Sequence, residues 1–198
     1  MSGLKKTNMR VFILGFLTSI SFVSSSQFYW KNKKPFADYW QQDVKYTIKA
    51  KVDESKLTVG GELKLIYTNN SPDELSEVYF HLYQNAFQEG SYYDVLQKNK
   101  GRKPRYGLYE ENGLGTDVNE VYSSNGVDTI IIDNTLMKVV LKKPIKSHES
   151  AVFNIKFKTY WGSGTSRRRM KAYYVEGGNI HFNGVHWYPR MAVYDQKF

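Results

Sequence analysis

From Lys45 to Val52 apolar and polar residues alternate one for one: Tyr46, Ile48, Ala50 and Val52 fall on one side, Lys45, Thr47, Lys49 and Lys51 on the other. Side chains of an extended chain point to opposite faces in turn, so this period of two predicts a half-buried strand. Asp53-Glu54-Ser55 breaks it, and a second run from Leu57 to Thr68 puts Leu63, Leu65 and Tyr67 inward, with Gly60-Gly61 suggesting a bulge or a close backbone approach. Asn69-Asn70-Ser71-Pro72-Asp73 is dense in turn formers. Val78, Phe80 and Leu82 then alternate with Tyr79, His81 and Tyr83. Strand signals resume over 129–132, over 137–142 with Pro144 closing that strand, and over 153–157, where Phe153, Ile155 and Phe157 share a face.

Between these runs, from about Gln84 to Asn125, the pattern dissolves into a glycine-, tyrosine- and lysine-rich stretch. A compact domain rarely holds so long a segment without structure, so it reads as long functional or capping loops with one short helix near Asp94 to Lys98. Turn-bounded strands at this spacing predict an all-β fold, mainly antiparallel, built as a saddle-shaped sheet or β-sandwich with long loops.

The first 26 residues follow another logic. Lys5, Lys6 and Arg10 precede a 13-residue apolar stretch from Val11 to Val23, and Ser24-Ser25-Ser26 follows. That order of charge, apolar run and small residues is the pattern of a cleavable signal-peptide helix. The run is shorter than the roughly 20 apolar residues of a stable membrane span, and an uncleaved anchor or a buried helix is the alternative. The organisation expected is a signal peptide over 1–26, an exposed lead-in over 27–39 and a β-domain over 40–198. The last of these ends on large apolar groups with no cap and so looks incomplete at its C-terminus. The product is expected to be exported, with no stable membrane span after processing.

Composition narrows the chemistry. The 198 residues include no cysteine, which removes disulfide scaffolds, cysteine-ligated zinc and cysteine nucleophiles together. The net charge is +9, and 9 less the 3 leader cations leaves +6. Of the four histidines, His181 and His186 stand five apart rather than at the i, i+4 spacing that aligns two imidazoles on a helix, and His148-Glu149 lacks a second His. These features predict no metal site and no catalytic residue in this chain. Glu110-Glu111 and the Asp128, Asp133 pair read as surface carboxylates. Arg167-Arg168-Arg169 with Lys171 lies among Tyr160, Trp161, Tyr173 and Tyr174, a mixture that nucleic-acid binders also use. Export argues against nucleic acid as a partner and leaves a solvated hairpin tip, or a surface for a glycan or acidic ligand. Asn69-Asn70-Ser71 matches a glycosylation acceptor.

Four stretches taken together resemble the opening of the gluzincin aminopeptidases, peptidase family M1. They are 44–50 (VKYTIKA), 57–62 (LTVGGE), 67–71 (YTNNS) and 78–87 (VYFHLYQNAF), and the resemblance is again specific over 180–195. It implies the N-terminal β-domain of an exported zinc metallopeptidase, truncated before the catalytic domain that carries H-E-x-x-H. Zinc would belong to that parent, and no cofactor to this chain. The partners implied are the catalytic zinc-peptidase domain and a peptide substrate at its pocket, which this domain would cap. In the family a Gln-x-Glu-like pair contacts the substrate's free amine. Counting back from Asp195 puts His181 and Asn183 in its place as substrate-binding residues, both departures from the pattern. A free-standing exported β-sandwich that binds a glycan or acidic ligand is the alternative reading.

Overall fold

The computed structural model describes residues 38–103, 112–162 and 170–195. The chain divides into two compact units, Met1–Tyr39 and Trp40–Phe198. The signal peptide, the lead-in as far as residue 37, the Glu110-Glu111 pair and the Arg167-Arg168-Arg169 run all lie outside the described residues.

In the second unit the alternating segments become strands. They are β1 (Asp43–Asp53), β2 (Thr58–Thr68), β3 (Leu75–His81), β4 (Thr116–Ser123), β5 (Val127–Asp133), β6 (Leu136–Ile145), β7 (Ser150–Tyr160), β8 (Met170–Tyr174), β9 (Ile180–Gly184) and the two-residue β10 (Arg190–Met191). A 3-10 turn (Tyr83–Phe87) and one helix, α1 (Tyr92–Asn99), follow β3. All strand pairing is antiparallel, in sheets ordered β1-β2-β7-β4, β10-β3-β6-β5 and β8-β9. The all-β, mainly antiparallel expectation therefore holds.

The two four-stranded sheets share one core. Leu63, Leu65, Tyr67, Phe153 and Ile155 from the first meet Val78, Phe80, Met137 and Val139 from the second, all of them buried. Phe80 and Phe153 touch edge to face with ring centroids 5.8 Å apart, which fixes the two sheets face to face. A smaller core of Leu57, Val59, Trp161, Met170 and Ala172 sits under the β8–β9 hairpin.

Three details differ from the sequence reading. Ala50 and Val52 lie on the same face as Tyr46 and Ile48, yet both are exposed, because β1 is an edge strand and only part of its length is covered. Gly60-Gly61 is no bulge: β1 and β2 stay in register throughout, and Gly61 is a close approach, where an added Cβ would stand 2.3 Å from the Lys49 carbonyl oxygen. The stretch from Gln84 to Asn125 holds, besides a helix longer than the one expected, the whole of β4. Its alternation is interrupted by a register shift between Val118 and Glu120, and a bulge resets which residues face the core.

Helix α1 starts where Ser91 accepts a hydrogen bond from the Asp94 amide at 3.2 Å, satisfying one of the donors a helix N-terminus leaves open. The Asp94 carboxylate is buried and takes both the Gly90 amide and the Lys98 ammonium at 2.8 Å. The short helix is thus fixed at both of its turns.

Candidate functional site

The two residues singled out for substrate contact, His181 and Asn183, lie two apart on β9 and therefore share a face of the β8–β9 hairpin. Opposite them on β8 stand Tyr173 and Lys171 respectively. The other face, carrying Met170, Ala172 and Phe182, packs on Trp161, whose Nε1 donates to the Asn183 carbonyl oxygen at 3.1 Å. Burial of that face turns the His181 face outward. There the Lys171 ammonium sits 4.6 Å from the Tyr173 ring centroid, and the His181 and Tyr173 rings are 6.1 Å apart. The face is aromatic and cationic.

Just beyond β9 the chain folds back on the end of β3. Gln84, buried, donates from Nε2 to the carbonyl oxygens of Val185 at 3.1 Å and His186 at 3.3 Å. His186 has a positive φ of 57°, and its ring lies 4.3 Å from Tyr83, which in turn stacks on His81 at 5.0 Å. Arg190 pairs with His81 in the β10–β3 register. Burial first, and then the Arg190 guanidinium, hold the His81 imidazole below its usual range. In the sequence His81 and His186 carry no sign of a link to one another. Nothing in their spacing, 105 positions apart, signals that one tyrosine ring lies between them.

Asn85 anchors the next layer. Its Oδ1 accepts from the Thr116 amide at 2.8 Å and its Nδ2 donates to the Asn134 carbonyl at 3.0 Å, while Asn134 donates back to the Asn85 carbonyl at 2.7 Å. Gly115 fits here because an added Cβ would lie 2.4 Å from Asn85 Oδ1. Gln84 and Asn85 thus tie β3 to three loops that sequence places far apart.

Among the described residues no group of three or more His, Asp or Glu is gathered as metal ligands would be, and no helix is long and apolar enough to cross a membrane. The Asn69 acceptor motif is closed to a glycan in the folded chain. Its side chain is fully buried and spends its amide hydrogens on the carbonyls of Asp73 and Ile145.

No protein-family profile matches the chain, and no curated protein matches it. Among solved structures it is similar to part of an M1 zinc metallopeptidase point mutant from Deinococcus radiodurans, at 16% identity and a TM-score of 0.40, over 66% of this chain and 23% of that one. The same mutant with a Tyr-Ser-Ala substrate aligns at 14% identity and a TM-score of 0.44, covering 76% and 29%. A two-domain M1 zinc metallopeptidase mutant bound to L-tryptophan aligns at 13% identity, with the same TM-score and coverage. The chain spans less than a third of the length of these structures.

Proposed function

We propose that this chain is the non-catalytic N-terminal β-domain of an exported zinc metallopeptidase of the aminopeptidase type, packing on a catalytic domain and capping its substrate pocket. One observation carries the reading. The two stretches most specific to that family by sequence, 57–87 and 180–195, are built as one unit: Gln84 holds Val185 and His186, Met191 pairs with Phe80, and Arg190 pairs with His81. Two stretches about a hundred residues apart that both resemble the family are thus joined in one structural element by the buried Gln84, which supports the reading. In this reading the exposed His181 and Tyr173 and the half-buried Asn183 and Lys171 face the pocket, and zinc and the peptide-cleaving residues belong to the catalytic domain.

The test is the coding sequence beyond Phe198, read together with the activity of the chain as purified. The reading requires H-E-x-x-H and a later Glu in the same frame, docking of that catalytic segment on this domain, and no cleavage of amino-terminal peptide substrates by this chain alone. A frame that closes without the motif, or peptidase activity from this polypeptide, overturns it.

A second reading, a free-standing module for a glycan or acidic ligand, is favoured by the partly exposed cation–ring pairs, Lys171 over Tyr173 at 4.6 Å and Lys158 over Tyr160 at 5.0 Å. Retention on an immobilised acidic polysaccharide that salt abolishes would support it.

A further inference from the structure

A cleft of about 260 Å³ opens between β1 and β10, away from the His181 face, with Tyr46, Tyr188 and Arg190 among its walls. Three features of its polar lining point the same way. The Tyr46 hydroxyl accepts from the Met191 amide at 2.9 Å. Its own hydrogen is left to donate, and no group among the described residues takes it. Burial, the largest influence on Tyr46, raises its pKa, so the hydroxyl stays protonated and remains a donor. The Tyr188 ring packs edge to face on Tyr46 at 5.6 Å, and its hydroxyl makes no hydrogen bond among the described residues. The Arg190 guanidinium forms no ion pair among them either, and lies close enough to act electrostatically on both Tyr46 and His81.

No carboxylate lines the cleft. Two acids near its walls are engaged through their side chains, Asp43 with the Asn70 amide and Asp73 with the Tyr194 hydroxyl, while Asp195 pairs with Gln41 through the backbone and is not among the lining residues. Gln42 is likewise spent, on the Asn70 amide and Asn69 Oδ1. What remains is a cation and two hydroxyl donors beside the apolar walls of Val44 and Val193. A site of this size is smaller than most drug-sized pockets and takes a group of about one residue. Unopposed donors in a partly buried setting are satisfied by an acceptor that carries charge.

We propose that this cleft binds a carboxylate attached to an aromatic or apolar body of about one residue, with Arg190 as the charge partner and the Tyr46 and Tyr188 hydroxyls as donors. The proposal does not depend on the capping-domain reading, since the residues it names all belong to this chain. A free aromatic acid and the C-terminal residue of a peptide present the same group, and the probes separate them.

The test is an amide-shift titration of the isotopically labelled chain as purified. The probes are 3-phenylpropionate, its amide, and acetyl-Ala-Ala-Phe with a free or an amidated C-terminus. Saturable shifts at the amides of 44–46 and 188–194 are expected with the carboxylates, and at least about tenfold weaker binding with the amides. Binding of 3-phenylpropionate alone assigns the site to free acids, and binding of both acids admits peptide C-termini. Arg190→Gln should weaken binding about tenfold with an unchanged thermal midpoint. Tyr188→Phe, which keeps the ring against Tyr46, serves as a second variant and should weaken it in the same direction. Equal binding of acid and amide, indifference to both substitutions, or no saturable shift up to about 10 mM acid overturns the proposal.

Discussion

Asn69 shows how much one side chain can organise. Its Nδ2 donates to the carbonyls of Asp73 at 2.7 Å and Ile145 at 3.0 Å, and its Oδ1 accepts from Gln42 Nε2, the Ser71 amide and the Ser71 hydroxyl. An amide puts two donor hydrogens and an acceptor oxygen on one short side chain, so it can hold a turn to a distant strand end. Asn69→Ala leaves the buried Ile145 carbonyl and the buried Ser71 amide without their partner and should cost about 3 kcal/mol, read from urea unfolding. Asn69→Asp should rescue it only in part, since a carboxylate restores the acceptor for the Ser71 amide but not the two donors. The sequence marked this position as a turn and a glycan acceptor, and only its burial separates the two. His81 gives the second prediction at this scale. Burial and then Arg190 depress its folded-state pKa below the ordinary 6.5, so the fold favours the neutral imidazole. That stability is present above the unfolded value of 6.5 and is lost as pH falls through the folded one. The thermal midpoint should therefore fall as pH drops below 6.5, and His81→Gln should flatten that slope. Equal slopes in the two proteins would contradict it.

At the scale of elements, the strands were legible wherever one face is covered. Leu63, Leu65, Tyr67, Phe153, Ile155 and Phe157 are buried in strict alternation because each points at the opposite sheet. Ile155 is 1% exposed at the middle of β7, between β2 and β4. Ile155→Ala should cost about 2–5 kcal/mol by chemical denaturation, the transfer loss plus an unfilled cavity. A loss within about 0.5 kcal/mol would mean a surface position. β4 escaped sequence reading for the converse reason. It is an edge strand whose bulge breaks the period of two, and its exposed side carries polar groups, so no pattern announces it. β5 shows the same limit with the opposite sign. Ile130 and Ile132 lie opposite the buried Val139 and Met137, so they share the core-facing side of the sheet, yet they are 41% and 51% exposed. Directly paired residues share a face, but burial also requires the other sheet to extend that far.

For the β-sandwich unit as a whole, the sequence by itself determined the class of fold and most of its strands. Alternation, turn residues and the absence of cysteine are local properties, and each is written within a few neighbouring positions. It also carried the family resemblance, in which Gln84 and Asn85 hold loops in place. Tertiary structure alone decided which polar residues meet. His81, Tyr83 and His186 stack, and Tyr46 meets Tyr188 beside Arg190, only because the two-residue β10 returns to pair with β3. Periodicity tells which way a side chain points, and it contains nothing about what another strand, a hundred residues later, brings to face it.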